Sequence, residues 1–405
     1  MKGRILAALV LVLLASCEKG VTDEDTILKY FSEAYEDSGF GIAAAEDGYY
    51  LCGQLTDSID GRNPLKKAGI IRTGNDGNLV GQMMTFGTTE GSAAKIKVLN
   101  DGSVISTGYV IGANSQKDII VIHLNADLSL IRTKIFPAAG NQYGIDLIET
   151  TEGFIVLATT DVKREPATEV TGNAAGKKDI LLLRLNKQLD ILAEIPAVGF
   201  IGNDEGVAVK PGMNGGYIIV GTTDRSDRPS SEQAGTNIMI VRLNSDGFTV
   251  EPKIIGGVKN ETASDFEVLN DGYMIAGTIG TGIADQQGYL WKMTADLDAE
   301  PEYQHILDIE PSNTIKTPYT IKAMCRYKSN SFLLAGQFGT GLSARMLIFS
   351  IDASGTPVEN RKKITGGTGI QSANDVVSDR ADNIIVAGSN SYENNSMICF
   401  LKFRF

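Results

Sequence analysis

Histidine and tryptophan are almost missing from this 405-residue chain, with 2 and 1 copies, and Cys (4) and Pro (11) are sparse. Histidine is the usual general base and the commonest metal ligand. With only His123 and His305 available, a Ser-His-Asp hydrolase would have to recruit one of them, and a histidine-rich metal centre is excluded. Cys17, Cys52, Cys325 and Cys399 show no short spacing, so neither a zinc site nor a disulfide framework is indicated, and the last three read as buried free thiols. Positive charge is also short. Lys and Arg total 37 against 49 Asp and Glu, a net charge of −12, and no basic stripe interrupts the acidity. A nucleic-acid partner is excluded on that ground, because phosphate binding needs clustered Lys and Arg.

Long apolar runs are missing except at the start. Ile5 to Ala15 is an apolar stretch of 11 residues behind the basic head Met1-Lys2-Gly3-Arg4, too short for a bilayer that takes ~20. It reads as a secretion signal over residues 1–16. Leu14-Ala15-Ser16-Cys17 resembles the bacterial lipobox, which implies that Cys17 becomes the acylated first residue of the mature chain and that its acyl chains anchor the protein to a membrane. Residues 17–26 would form a tether. Its Asp23-Glu24-Asp25 looks like the export signal that carries some lipoproteins of the Bacteroidetes type to the outer face of the outer membrane. The expected address is therefore the outer membrane of a Gram-negative bacterium, with exposure at the cell surface. Loss of Lys2 and Arg4 with the leader takes the charge to −14.

What is present is a repeat. Seven times a turn dipeptide precedes a short apolar run that closes on a small residue, as in Gly215-Gly216-Tyr217-Ile218-Ile219-Val220-Gly221. The closing residues are Gly53, Gly108, Ala158, Gly221, Gly277, Gly336 and Gly388, at intervals of 55, 50, 63, 56, 59 and 52 residues. Asp-Gly and related pairs between strand-like runs are hairpin signals. Each closing residue is followed by a loop and a second apolar run, such as Asp179 to Asn186 or Asn237 to Asn244, whose near-continuous hydrophobicity fits a strand covered on both faces. A further turn and a more polar strand complete the unit. Four antiparallel strands, seven times over, predict an all-β seven-bladed propeller across residues 27–405. The seventh unit lacks a fourth strand, and Ile27 to Ala34 is expected to supply it by pairing with Met397 to Phe405, leaving no open edge.

The unit resembles the bacterial secreted and lipoprotein propellers built from "DGGYIIAGxT" repeats, common in Bacteroidetes. That resemblance implies a propeller in the cell envelope and carries no shared catalytic motif. Sialidase-like propellers carry Asp-box repeats and quinoprotein propellers carry repeated tryptophans; neither pattern occurs here, where Trp291 stands alone.

The longest irregular stretches, Asp161 to Lys178 and Asp224 to Asn237, fall between second and third strands of the third and fourth units. Such loops share a face with the links from each fourth strand to the next first strand. The candidate binding face is therefore Arg164, Asn203, Asp204, Asp224, Arg225, Asp227, Arg228 and Asn260, a polar patch without aromatics. Asp146, Asp265 and Asp375 open first strands and read as turn caps, with Gly41 and Lys95 at comparable places in the first two units. Asp224, Asp227 and Asp246 are oxygen-rich but lack the spacing of a calcium loop, so no metal and no cofactor is expected.

Three functions fit. The leading expectation is a lipid-anchored, non-enzymatic binding module for a protein or a glycan. The alternatives are an envelope polysaccharide hydrolase or lyase using carboxylates near the axis (Glu149, Glu267, Asp265, Asp375, Asp379), and a structural scaffold in a surface complex.

Overall fold

The apolar runs fold as the repeat demands. The computed structural model describes residues 26–32, 36–57, 64–162, 178–200, 202–213, 215–224, 235–244, 250–257, 259–297, 303–392 and 395–405. Cys17 and Asp246 lie outside them. The first blade is β2 (Ser38–Ala44), β3 (Gly48–Asp57), β4 (Leu65–Gly74) and β5 (Met84–Phe86); the second is β6 (Gly91–Val98), β7 (Val104–Ile111), β8 (Lys117–Leu124) and β9 (Leu130–Phe136). The third is β10 (Gln142–Glu149), β11 (Gly153–Thr160), β12 (Asp179–Asn186) and β13 (Ile191–Val198), and the fourth is β14 (Asp204–Pro211), β15 (Tyr217–Thr223), β16 (Asn237–Leu243) and β17 (Val250–Ile255). The fifth is β18 (Asn260–Val268), β19 (Gly272–Gly280), β20 (Gln287–Thr294) and β21 (Tyr303–Ile306), and the sixth is β22 (Tyr319–Tyr327), β23 (Ser331–Phe338), β24 (Arg345–Asp352) and β25 (Pro357–Thr365). The seventh sheet orders β1 (Ile27–Phe31), β28 (Asn395–Phe403), β27 (Ile384–Tyr392) and β26 (Ile370–Ser378).

Closure is as expected: Ile27 pairs with Lys402 and Phe31 with Ile398, so the first strand of the chain finishes the last blade. Burial follows the blade. β8, β11 and β12 are buried almost throughout, whereas the outer strands β9 and β25 are exposed or half-buried along nearly their whole length. The core is accordingly seven separate layers, each between two neighbouring sheets. The seventh layer sets Phe31, Ile398 and Phe400 of the last blade against Tyr49, Leu51 and Ile71 of the first.

The small residue that ends each repeat has a steric cause. Every first strand carries a β-bulge, skipping Phe40, Ala94, Ile145, Val207, Ser264, Lys322 and Asn374 in turn. A bulge bends its strand and increases the local twist. At Gly53, Gly108, Gly221, Gly277, Gly336 and Gly388 a Cβ would lie under 3.0 Å from a carbonyl oxygen of that strand, for instance Thr320 O against Gly336. Ala158 is the exception, and the first-strand residue opposite it is Gly144.

The turn after the third strand shows a second regularity. Gly77 and Gly355 hold positive φ there, and so do Leu128 (φ 67), Leu189 (φ 62) and Leu297 (φ 58). A leucine in the left-handed region costs about 1–2 kcal/mol. All three are buried, a gain of about 1.5–3 kcal/mol that offsets the strain.

Candidate binding site in the axial channel

The bulges set the geometry of the centre. Extra residues on seven successive first strands are brought to the ring axis, and all but Ile145 line the cavities there. An inner cavity of about 420 Å³ runs along Phe40 to Ala44, Ala94 to Val98 and their counterparts. Above it a wider mouth of about 570 Å³ is walled by the starts of first strands and the ends of second strands, at Ile370, Ser372, Gln337, Ser389 and Ser391. That places the mouth on the face from which the long loops of the third and fourth blades leave, since those loops follow Thr160 and Thr223 at the ends of β11 and β15.

Below the mouth the walls are charged, and each charge is tied. Lys95 Nζ lies 2.8 Å from Asp375 Oδ2, Lys97 Nζ 3.1 Å from Asp146 Oδ1, and Lys210 Nζ 3.3 Å from Asp265 Oδ1 and 2.8 Å from Glu267 Oε1. The three aspartates also accept backbone N–H groups from the next blade: Asp146 from Val209 (3.1 Å), Asp265 from Met324 (3.3 Å) and Asp375 from Ile42 (3.0 Å). Each accepts the N–H of its own successor as well. Lys95 reaches from the second blade past the first to the seventh, alongside Gly41, which has no side chain to obstruct it. Lys322 Nζ donates to Asn374 Oδ1 at 2.9 Å and joins the sixth blade to the seventh. These links form a continuous circuit round the ring.

Electrostatics follow from those links. Burial opposes the charge on Lys95, but the carboxylates of Asp375, Asp265 and Asp146 outweigh it and raise its pKa; Lys210 is raised in the same way by Asp265 and Glu267. Burial would push Asp146 up, yet Lys97, Lys95 and the two backbone donors hold it below the ordinary carboxylate range. Lys322 has no carboxylate within ion-pair distance among the described residues. Its side chain is wetted by the mouth but surrounded by protein, and that desolvation lowers its pKa. Cys325, half-buried on the channel wall, is pushed up by burial and by the carboxylates of Glu267, Asp375 and Asp265, which removes thiolate character.

These findings correct two expectations. Asp146, Asp265 and Asp375 are not turn caps: they follow the bulge inside the strand and tie one blade to the next. Of the carboxylates expected near the axis, Asp265, Glu267 and Asp375 line the channel, but Glu149 and Asp379 do not. Glu149 accepts Asn100 N and Nδ2 at 3.0 and 2.8 Å, and Asp379 lies past the end of β26, capping the turn to β27 and taking the Tyr49 hydroxyl at 2.8 Å. Lys97, Lys210, Lys322, Asn374 and Phe40 were missed. Counting back from the closing glycine of each repeat locates all five once the bulge is known.

Other sequence candidates serve the loop face. Asn203 donates through N and Nδ2 to Asp224 at 2.8 Å each, and its Oδ1 accepts Lys178 N at 3.3 Å. Asn260 Oδ1 accepts Gly235 N at 2.8 Å. Asp204 is fully buried beside Asp179, and a Cβ at Gly199 would meet both carboxyls. Burial, and then the charge of Asp204, push Asp179 up to about 7. Arg164, Arg225, Asp227 and Arg228 lie outside the described residues. His123 on β8 hydrogen-bonds Ser103 Oγ at 3.0 Å and sets its ring edge to Phe154, while His305 lies on the outer strand β21; burial lowers the pKa of both. Cys52 and Cys399 are buried free thiols. Among the described residues no three His, Cys, Asp or Glu side chains come together as a metal site.

No protein family of known description matches the chain, and neither does any curated protein. Solved structures do. A streptogramin B lyase is 13% identical, with a TM-score of 0.52, over 93% of this chain and 97% of its own. A protein of unknown function from Dyadobacter fermentans is 10% identical, also with a TM-score of 0.52, over 94% of this chain and 97% of its own. A glucose dehydrogenase is more distant, at 11% identity and a TM-score of 0.41 over 92% of this chain and 99% of its own. The lyase and the Dyadobacter fermentans protein thus share the fold with this chain, and the likeness speaks to architecture alone.

Proposed function

We propose that this chain is a lipid-anchored envelope propeller that binds a protein or glycan partner without chemistry of its own, through the face that carries the channel mouth and the long loops. The observation that carries this reading is the state of the channel carboxylates. Asp146, Asp265 and Asp375 each face a lysine and two backbone donors, and Glu267 shares Lys210. A general acid needs a carboxyl held protonated near neutral pH, and a nucleophile or base needs a lone pair open to substrate. Groups tied this way serve the ring instead. The mouth above them is open, wetted and lined by hydroxyl, amide and aromatic groups that bear no carboxylate.

The anchor comes from the leader: a basic head, a short apolar core and Leu14-Ala15-Ser16-Cys17 are what a lipoprotein signal requires, and the outer membrane is the address proposed. Capture from native envelopes tests the function. The intact lipoprotein as bait should retain a specific partner, and a bait shortened within Asp224 to Asn237 should lose it. An unchanged partner set after shortening moves the interface elsewhere on the ring.

A further inference from the structure

The seven bulge residues fall into two arcs round the ring, and five of them, Val207, Ser264, Lys322, Asn374 and Phe40, line the mouth. Ala94, Ile145 and Val207, from the second to the fourth blade, are apolar. Ser264, Lys322, Asn374 and Phe40, from the fifth blade round to the first, form an arc of hydroxyl, ammonium, amide and aromatic ring. The arc is fixed by its own hydrogen bonds. Ser264 Oγ donates to Ile321 O at 2.6 Å, Lys322 to Asn374 Oδ1 at 2.9 Å, and Asn374 Nδ2 to Gly39 O at 2.6 Å, next to Phe40. Lys322 thus spends one of its three ammonium protons on the amide, and among the described residues the other two meet no protein acceptor. Phe40 stands 38% exposed inside a cavity, an unusual place to leave an aromatic ring wet.

We propose that this arc is a binding site for one carboxylate-bearing sugar, a uronate at the end of a glycan, with Lys322 taking the carboxylate and Phe40 lying against the ring. The inference rests on the reading that this face receives the partner, and it names the chemistry. An aromatic ring covers the apolar C–H face of a sugar. Ser372 and Gln337 each spend one donor within the wall, on Asn374 Oδ1 and Gly339 O, and Ser389 is engaged by Gly39 and Asn374, so the Ser391 hydroxyl and the remaining capacity of Ser372 and Gln337 are what meet its hydroxyls. A lysine without an acidic partner, in a partly desolvated wall, gives a carboxylate a charge-assisted bond stronger than a neutral one. The layer beneath sets an outer limit to the anion. Lys95, Lys97 and Lys210 there face Asp146, Asp265, Glu267 and Asp375, leaving one negative charge in excess, so the carboxylate stops at the mouth. The net charge of −12 repels a polyanion, which favours a single terminal acid over an acidic polymer.

The test uses the full protein, 4-nitrophenyl β-D-glucuronide and the matching glucoside, which differ only in the carboxylate, with affinities from titration calorimetry. The glucuronide should bind at least about tenfold more tightly, the ratio that one charged hydrogen bond supplies. Lys322→Met should erase the difference, Lys322→Arg should keep most of it, and Phe40→Ala should weaken both ligands, with thermal melts showing that each variant is folded. Equal binding of the two glycosides, no binding of either, or a preference that survives Lys322→Met overturns the proposal. So does N-acetylglutamate amide binding as tightly as the glucuronide, which would make the site a reader of protein carboxylates. Envelope capture with the Lys322→Met bait separates the two levels: a retained partner set beside failed glucuronide binding sinks the uronate inference and leaves the binding face standing.

Discussion

Replacing Gly336 by alanine tests the link between the sequence repeat and the channel. The added methyl would lie under 3.0 Å from Thr320 O and from the Thr320 carbonyl carbon, both backbone atoms that cannot swing aside. Relief requires β22 to move by on the order of 1 Å at its bulge, and overpacking of this kind costs about 1–3 kcal/mol. The moved segment carries Lys322, whose Asn374 bond joins the sixth blade to the seventh, so some loss of that link adds about 1 kcal/mol. The total is about 2–4 kcal/mol. For a domain of this size the unfolding entropy is roughly 0.8 kcal/mol/K, and the melting temperature should fall by about 2–5 °C. The assay is calorimetry or denaturant unfolding beside two controls. Ala158→Gly, at the one repeat that already accepts a methyl, should cost about 1 kcal/mol for lost packing and added chain entropy. Gly102→Ala sits where a Cβ meets nothing within 4 Å, and it reports only the strain of its positive φ (82). If Gly336→Ala melts within half a degree of the parent, the bulge does not press on the closing residue and the explanation of the repeat fails.

Other outcomes follow from the same structure. Asp375→Ala leaves the part-buried Lys95 without its partner and frees Ile42 N at the junction of last and first blades; a cost of about 2–4 kcal/mol is expected in equilibrium unfolding, and a neutral result would show that the pair does not hold the ring closed. Asp179 has a folded pKa raised to about 7 from 3.8, so between those values the folded state binds the extra proton and stability declines as pH rises. Asp179→Asn should therefore stabilise the protein by a few kcal/mol at roughly pH 8 and by nearly nothing below roughly pH 4, read from melts across pH. A flat difference would sink that assignment. Growth with an alkyne-tagged fatty acid should label the intact chain and leave Cys17→Ala unlabelled; equal labelling of both refutes the anchor.

Much of this fold was legible in the sequence because its signals are local. A turn dipeptide, a run of apolar residues and a small residue recur at strand spacing, and the count of seven follows from them. Ring closure was legible because Phe31 to Gly48 and Thr85 to Gly102 share one pattern, which puts Ile27 to Phe31 in a fourth-strand position. The site was legible only in part, through Asp265, Glu267 and Asp375. A bulge shifts the inward phase of a strand by one residue, so Lys322 and Asn374 reach the channel from positions that strict alternation assigns elsewhere. The aspartates that follow bulges looked like turn caps because their partners, Val209, Met324 and Ile42, belong to a neighbouring blade far along the chain. Leu128, Leu189 and Leu297 hid their turns for a related reason: glycine announces positive φ, whereas a leucine there is tolerated only because the neighbouring blade buries it.

The central claim is that the partner sits on the face bearing the channel mouth. Hydroxyl-radical footprinting of the intact protein in native envelopes, compared with the purified protein, reads that directly. Protection is expected at Phe40, Gln337, Ile370 and the residues around Lys322, with the turns on the opposite face at Asp47, Asp101, Asp271 and Asp382 unchanged. Protection of those turns with an unprotected mouth would contradict the account.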